Sequence, residues 1–164
     1  MADELLENEV GELLRSQGLT LAVAESCTGG LLGHRLTNVA GSSDYFVGGV
    51  VAYSYEAKER VLNVRHGTLY DFGAVSEQTA LEMARGVRRL LSSDVALSVT
   101  GIAGPGGGMP GKPVGLAYVA LSARDQEVCH QFLWGKDRAR NKDCSAEAAL
   151  EMLATYLRER ASRG

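Results

Sequence analysis

Apolar residues recur along the chain with two different spacings, and the switching between them predicts a mixed α/β protein. Helical spacing, with apolar positions three or four residues apart, occupies residues 5–14, 31–39, 80–91 and 146–157. Short apolar runs that are typical of strands lie between and after these segments, at residues 19–25, 47–53, 94–100, 115–123 and 127–134.

Polar residues and glycines mark where several of these helices begin and end. Gly18 follows the first helical stripe, where a left-handed residue commonly ends a helix. Ser54 and Ser76 are placed to cap two further helices, the first of them over residues 55–63. The connection between those two helices, residues 64–74, is predicted to be a loop.

The strand pattern specifies the fold class. Residues 94–100 are apolar at nearly every position, as expected for a central buried strand. The polar turn at residues 124–126 predicts a hairpin between the last two strands. We therefore expect a three-layer α/β/α sandwich with a mixed, mostly parallel central sheet and one antiparallel hairpin strand, formed by residues 1–164 as a single domain.

Composition and charge restrict the classes of partner. The chain has 164 residues, 45% of them hydrophobic, which is enough for one buried core. Its 17 basic and 20 acidic residues are interspersed, with a net charge of -3, so a nucleic-acid partner is disfavoured. The acidic, amphipathic start differs from a secretory signal and no apolar run could span a bilayer, so we expect a cytoplasmic protein without a membrane partner.

The possible metal ligands are scattered rather than clustered. The three cysteines lack a CxxC spacing, and His34, His66 and His130 are isolated from one another. We therefore expect reduced thiols, no metal site and no cofactor.

Residues 100–115, TGIAGPGGGMPGKPVG, form the most glycine-rich segment of the chain. Gly106, Gly108 and Gly111 satisfy the GxGxxG pattern, but a dinucleotide-binding loop must open a helix and a strand follows here. A flexible surface loop is one interpretation. The other is a ligand-binding loop, because the segment leaves the carboxyl end of a predicted strand, where α/β proteins bind ligands.

The segment ESCTGG, residues 25–30, leaves the carboxyl end of another predicted strand and precedes a helix. Amides at Thr28, Gly29 and Gly30 could hold a phosphate or a carboxylate, because the first amides of a helix lack acceptors. Ser26 lies just before them, where its hydroxyl could attack a carbonyl group while those amides stabilise an oxyanion. The alternative is that Ser26 or Thr28 only caps the helix.

A serine nucleophile needs a base, and no histidine stands in a recognisable motif with Ser26. Lys58 is the candidate, because a desolvated lysine can lose its proton near neutral pH, and Tyr53 could relay or orient that proton. A solvated surface lysine is the other interpretation. Cys27 is an alternative nucleophile, since a thiolate beside a helix N-terminus would have a lowered pKa.

Several motifs occur together in an order that resembles a known family. They are AESCTGG, GSSDYFVGGVVAYSYEAK, GAVSE, TGIAGPGGG and KPVGLAY. In this order and spacing they resemble the C-terminal domain family of the competence-damage-inducible protein CinA, over essentially the whole chain. The resemblance implies an α/β/α fold and, as in stand-alone members, metal-free hydrolysis of nicotinamide mononucleotide to nicotinic acid mononucleotide and ammonia.

The resemblance also implies roles for individual residues. Ser26 corresponds to the catalytic hydroxyl, and Tyr53 and Lys58 correspond to the tyrosine and lysine of the family's YSNEAK motif, whose asparagine is Tyr55 here. The family's GDRxxVR segment reads KDRARNK from Lys136. Arg138 matches the first arginine of that segment. Lys136 replaces its glycine, Asn141 replaces its aliphatic residue, and Lys142 replaces its second arginine.

The sequence thus predicts a deamidase of pyridine nucleotide salvage. Ser26, Lys58 and Tyr53 are its predicted catalytic residues, and the substrate-binding residues are predicted to be Thr28, Gly29, Gly30, Thr100, Gly101, Gly104, Arg138 and Lys142. We expect a nucleotide substrate and a homo-oligomer. The alternative function is a non-catalytic nucleotide-binding or regulatory module. A pyrophosphatase activity assigned to the separate N-terminal domain of longer relatives is not transferred to this chain.

Overall fold

A computed structural model describes residues 5–164, which form five strands and six α-helices around one sheet. In chain order the elements are α1 Leu6–Gln17, β1 Leu21–Glu25, α2 Leu31–Thr37, β2 Phe46–Val51, α3 Tyr55–Leu62, α4 His66–Phe72, α5 Glu77–Leu90, β3 Val95–Gly101, β4 Leu116–Ala123, β5 Glu127–Leu133 and α6 Arg138–Arg163.

The sheet has the strand order β2-β1-β3-β4-β5. β1 is parallel to both of its neighbours, β2 and β3, whereas β4 is antiparallel to β3 and β5. Four strands therefore share one direction and β4 alone runs against them. This confirms the predicted mixed, mostly parallel sheet with one antiparallel hairpin strand.

Helices cover both faces of the sheet, because successive side chains of a strand point to opposite sides. Leu21 and Val23 of β1 pack in the larger apolar cluster, together with residues of α1, α2 and α6. Ala22 and Ala24 pack on the opposite side, with residues that include Leu62 of α3. The result is the three-layer sandwich that the sequence predicts.

Three predicted helix boundaries are confirmed by their capping geometry. Gly18 ends α1 in the left-handed conformation, with a φ of 65°. The Ser54 hydroxyl accepts a hydrogen bond from the Ala57 amide at the start of α3, and Ser76 accepts one from Thr79 at the start of α5. Of these caps, Ser54 lies between β2 and α3 and holds the first turn of the helix that carries Lys58.

The predicted loop over residues 64–74 is wrong, because His66–Phe72 form the helix α4. This helix has no side-chain cap and spans only seven residues, so its sequence carries little helical signal. Tertiary contacts stabilise it instead. Leu69 is buried in the apolar cluster with Leu62, and the Thr68 hydroxyl donates to Glu82 of α5 at 2.8 Å.

The helix α6 is the longest, with 26 residues, and it packs against α1 and the sheet. Charged side chains interrupt its apolar positions throughout. None of the helices described between residues 5 and 164 combines the length and the apolarity needed to cross a bilayer.

Candidate active site

Ser26 lies immediately beyond the carboxyl end of β1, between the ends of its two neighbouring strands. Its amide donates to the Val99 carbonyl of β3 at 2.9 Å, which extends the sheet by one residue. The amide of Ala52, just after β2, likewise donates to the Glu25 carbonyl at 2.9 Å. Ser26 is therefore held by the backbone on both sides, and its side chain is 7% exposed.

Lys58 comes from the first turns of α3 and reaches Ser26 through the interior. Its Nζ lies 2.9 Å from Ser26 Oγ, 2.9 Å from the Ala52 carbonyl oxygen and 3.1 Å from the Tyr53 carbonyl oxygen. The residue is 1% exposed, and it forms no ion pair with any of residues 5–164. The interpretation of Lys58 as a solvated surface lysine is therefore wrong.

Burial lowers the pKa of the Lys58 ammonium from 10.5 to about 8, because no carboxylate among residues 5–164 compensates the loss of water. A neutral amine has two N–H donors and one lone pair. When the two carbonyl oxygens of Ala52 and Tyr53 accept the donors, the lone pair is left to accept the Ser26 hydroxyl proton. The geometry therefore suits a general base.

Cys27 has its side chain in the large apolar cluster and is 8% exposed. Burial raises the pKa of its thiol from 9.0 to about 11, the opposite of the lowered value expected from the sequence. The thiolate is the reactive form of cysteine, so this environment disfavours Cys27 as the nucleophile.

The amides at the start of α2 already have an anionic partner within the protein. The Glu25 carboxylate accepts from the Leu32 amide at 2.8 Å and from the Gly33 amide at 3.1 Å. Glu25 thus occupies the Leu32 and Gly33 amides, whereas the sequence prediction concerns the amides of Thr28, Gly29 and Gly30. Of these, the Gly29 amide donates to the Ser26 carbonyl at 3.1 Å. Glu25 also precedes Ser26 in the chain, so the same contact fixes Ser26 relative to α2.

The turn between Ser26 and α2 needs its two glycines for conformational reasons. Gly29 and Gly30 have φ values of 60° and 108°, in the region that disfavours side chains. Neither the Thr28 nor the Gly30 amide makes a hydrogen bond within residues 5–164, and the buried Thr28 hydroxyl also has no partner there. These groups are available to a bound molecule beside Ser26.

The glycine-rich loop lies at the same edge of the sheet, but two of its predicted ligand residues have structural contacts of their own. The Thr100 hydroxyl donates to the Ala74 carbonyl at 2.8 Å. A Cβ at Gly101 would approach the Leu116 carbonyl oxygen to 2.8 Å, so glycine permits the close pairing of β3 and β4. Gly104, with a φ of 88°, presents its carbonyl oxygen to α6.

Arg138 joins this loop to the segment after β2. Its Nη1 donates to the Gly104 carbonyl at 2.8 Å, and its Nη2 lies 3.4 Å from the Tyr53 hydroxyl. The Tyr53 ring is 63% exposed, and its hydroxyl makes its hydrogen bond with Arg138 rather than with Lys58. Tyr53 thus orients Lys58 through its backbone carbonyl oxygen, and the predicted relay through its phenol lacks a contact.

The remaining predicted cation, Lys142, also lies at this edge. A Cβ placed on Gly29 would be 3.9 Å from its Nζ, so the ammonium group lies over the turn that follows Ser26. No three potential metal ligands among His, Cys, Asp and Glu cluster anywhere in residues 5–164.

Neither Glu25 nor Asn141 is among the site residues predicted from the sequence. Asn141 donates to the Ala103 carbonyl at 2.9 Å and accepts from the Lys136 amide at 3.1 Å, so it ties α6 to the glycine-rich loop. Glu25 offered one signal, since an acidic residue closes an apolar strand just before a helix. Asn141 stood out only as a polar residue in place of an aliphatic one.

The fold and the site define an α/β/α protein with a buried serine–lysine pair at the carboxyl end of its sheet. The family model described as "CinA C-terminal domain" matches residues 3–157. The chain belongs to the CinA C-terminal domain family, as its motifs suggested.

Several relatives resemble it closely. A CinA-like protein of Chloroherpeton thalassium is 51% identical over 159 residues, which are 94% of this chain and 38% of that protein. The structure titled competence/damage inducible protein CihA, from Agrobacterium tumefaciens, is 42% identical with a TM-score of 0.88, covering 93% of this chain and 95% of that one.

A third relative is the competence damage-inducible protein A (ComA) of Klebsiella pneumoniae, which is 38% identical with a TM-score of 0.90. That match covers 93% of this chain and 94% of the Klebsiella chain. The solved structures therefore have nearly the same extent as this chain, whereas the chain spans less than two fifths of the length of the curated relatives.

Proposed function

We propose that the chain is an amidohydrolase that converts nicotinamide mononucleotide into nicotinic acid mononucleotide and ammonia. The observation that carries the proposal is the buried contact of 2.9 Å between Lys58 Nζ and Ser26 Oγ. A lysine that has no counter-ion among residues 5–164, and whose pKa is lowered to about 8, is suited to accept the serine proton. The choice of substrate rests on the resemblance to the family.

In the first half of the reaction, Ser26 Oγ attacks the carboxamide carbon and Lys58 accepts the hydroxyl proton. The carbonyl oxygen becomes an oxyanion, for which the unbonded amides of Thr28 and Gly30 are available donors. The protonated Lys58 then supplies a proton to the leaving nitrogen. Ammonia departs and leaves a nicotinoyl ester on Ser26.

In the second half, the neutral Lys58 accepts a proton from water as the water oxygen attacks the ester carbon. The ester bond breaks, and Ser26 recovers its proton from Lys58. The second proton of the water stays on the carboxylic acid and passes to solvent, where ammonia takes it up as ammonium, so the product is a carboxylate. One water is consumed and one ammonia is released in each cycle. One base thus serves both halves, since Lys58 ends each half uncharged.

The cations of α6 suit the phosphate of the substrate. Arg138 and Lys142 lie near the glycine-rich loop and the turn after Ser26, and neither side chain is in an ion pair among residues 5–164. Charge-assisted contacts of this kind strengthen binding of a phosphate without acting on the bond that breaks. We assign Arg138 and Lys142 to substrate binding.

The test is an assay of ammonia release from nicotinamide mononucleotide, with identification of nicotinic acid mononucleotide as the second product. Nicotinamide riboside, which lacks the phosphate, is the comparison substrate. We expect turnover of the mononucleotide and a higher KM for the riboside. Binding of the mononucleotide without ammonia release would contradict the proposal and favour the non-catalytic nucleotide-binding module.

A further inference from the structure

A second polar cavity lies at the opposite end of the sheet from Ser26. It is formed where β3 begins and β4 ends, with a volume of about 640 Å³, within the range of small-molecule sites. Four arginines contribute to its wall: Arg88 of α5, Arg124 after β4, and Arg160 and Arg163 at the end of α6. Three separate parts of the fold thus bring guanidinium groups to one cavity.

The carboxylates in the same wall do not form ion pairs with these arginines. Asp94 accepts hydrogen bonds from the amide and the hydroxyl of Thr20, both at 2.9 Å. Asp125 accepts from the Tyr156 hydroxyl at 2.7 Å. The hydrogen bonds of both carboxylates thus come from uncharged donors. The hydrogen bond from Tyr156 is the main cause that lowers the pKa of Asp125, and the charges of Arg163 and Arg160 contribute.

None of the four arginines is in an ion pair with another of residues 5–164, unlike Arg15, Arg35, Arg65, Arg85, Arg140 and Arg158. Among the side chains that line the cavity, four arginines face two aspartates. The wall keeps an excess of positive charge, which a bound anion would neutralise.

Two further features indicate that the cavity is a preformed binding site. Ser93 in its wall is 7% exposed, and its buried hydroxyl has no hydrogen-bond partner within residues 5–164. Buried hydroxyls in native proteins normally have hydrogen-bond partners. A bound ligand could supply the partner that the Ser93 hydroxyl lacks among these residues. Arg88 donates a hydrogen bond to the Ser122 hydroxyl at 3.1 Å, and Arg160 donates one to the Gln17 side-chain oxygen at 3.4 Å. Because these neutral contacts already hold the two side chains, less conformational entropy is lost when a ligand binds.

We propose that this arginine-lined cavity binds a small molecule through a phosphate or pyrophosphate group. The planar guanidinium group is suited to phosphate because it donates two parallel hydrogen bonds to its oxygens. The site is separate from the serine–lysine pair, so it would bind an effector or second ligand rather than the amide that is hydrolysed. The proposal does not depend on the proposed deamidase activity.

Isothermal titration calorimetry with inorganic pyrophosphate at low ionic strength tests the proposal, with inorganic phosphate as a second probe. Arg124 makes no side-chain hydrogen bond within residues 5–164, so R124Q should fold normally; R124Q and R160Q should each weaken pyrophosphate binding by about tenfold. The matched control is R89Q, because Arg89 is the exposed neighbour of Arg88 on α5 and lies outside the cavity wall.

The variant R138A separates this cavity from the candidate active site. We expect R138A to retain the pyrophosphate binding that R124Q and R160Q weaken, whereas pyrophosphate held at the candidate active site would be lost in R138A alone. Three results would overturn the proposal: no binding to the wild type at millimolar pyrophosphate, an equal loss in R89Q, or a loss in R138A that R124Q and R160Q do not share. Circular dichroism of each variant verifies that it is folded.

Discussion

Lys58 can serve as a base because its surroundings favour the neutral amine. The residue is 1% exposed, and its Nζ contacts two carbonyl oxygens and one hydroxyl but no carboxylate of residues 5–164. If an acidic partner were present, it would favour the ammonium form and raise the pKa. The combination of burial and neutral acceptors at Lys58 is thus what makes Ser26 a credible nucleophile.

This environment predicts the pH dependence of the reaction. The base must be unprotonated, and the pKa of Lys58 is lowered to about 8, so kcat/KM should rise with pH and level off above about 8. Lys58→Arg keeps a charge that cannot be lost, so it should reduce kcat about as strongly as Lys58→Met, by about 10²- to 10⁴-fold. Steady-state rates across pH check this.

Circular dichroism should show that both Lys58 variants are folded. Activity of Lys58→Arg close to the wild-type rate would exclude Lys58 as the base. A wild-type profile that is flat between pH 6 and pH 9 would be equally incompatible with the proposed role, given the pKa of about 8.

Glu25 shows how a helix contributes to the site by its position. Its carboxylate binds the Leu32 and Gly33 amides of α2, and it adjoins Ser26 in the chain. Glu25→Gln would remove the charge at the helix start and turn an NH₂ group toward one of the two amides. We expect the free energy of unfolding to fall by about 1–2 kcal/mol in chemical denaturation.

The matched control for Glu25 is Glu56→Gln. Glu56 is exposed in the first turn of α3, where a carboxylate also faces a helix start. A change below about 0.5 kcal/mol is expected there. If Glu25→Gln were no more destabilising than this control, the contact with α2 would not be structural.

The start of α6 supplies the cation that we assign to the substrate phosphate. Arg138→Ala should raise KM for the mononucleotide by about tenfold and change kcat much less, because the contact is the same in the ground and transition states. It should leave the riboside almost unaffected, since the riboside has no phosphate. Steady-state kinetics with both substrates measure this.

Arg140→Ala is the control for Arg138, because Arg140 is exposed in the same helical turn and, among the residues that the structure describes, pairs only with the exposed Asp137. Its kinetics should match the wild type. A large loss of kcat with an unchanged KM in Arg138→Ala would instead mean that Arg138 acts on the transition state.

At the scale of the whole molecule, one arginine ties three helices together. Arg35 of α2 contacts Glu7 of α1 through two hydrogen bonds of 3.1 and 2.8 Å, and Glu147 of α6 at 2.6 Å. The hydrogen bonds from Arg35 keep the pKa of Glu7 below its usual 4.5. The pair therefore stabilises the fold above pH 4.5, and this stability is lost as pH falls through the lower, folded-state pKa.

Arg35→Met should lower the free energy of unfolding at pH 7 by about 2–3 kcal/mol, because it leaves Glu7 partly buried without a partner. The difference from the wild type should shrink as pH falls below 4.5 and through the lowered pKa of Glu7, because Glu7 then becomes protonated. Arg158→Met is the control, since Arg158 joins the same helices α6 and α1 through an exposed pair with Glu9. Its effect should stay below about 1 kcal/mol in urea denaturation.

The architecture was predictable because it is encoded locally. Apolar spacing predicted the strands and most helices, and Gly18, Ser54 and Ser76 marked helix ends by local chemistry. Helix α4 was not predicted, because seven residues without a cap acquire their helical form from packing of Leu69. The helical form of α4 therefore depends on long-range contacts, which a local sequence pattern does not reveal.

For the candidate site, too, the sequence could predict which residues take part but not how they are arranged. Ser26 and Lys58 could be predicted as site residues from the sequence. The distance of 2.9 Å between Lys58 Nζ and Ser26 Oγ, however, depends on how α3 packs against the sheet. The pKa of Cys27 was expected to be low beside a helix start, and it is raised because the thiol points into the core. Burial is a tertiary property, so its effect on a pKa is not visible in a motif.

The assignment of Ser26 as nucleophile is tested most directly by ammonia release from nicotinamide mononucleotide in two neighbouring variants. Ser26→Ala should lower kcat by at least about a thousandfold, since it removes the attacking oxygen. Cys27→Ser should keep kcat within about tenfold of the wild type. The opposite pattern, an inactive Cys27→Ser beside an active Ser26→Ala, would contradict the serine–lysine mechanism.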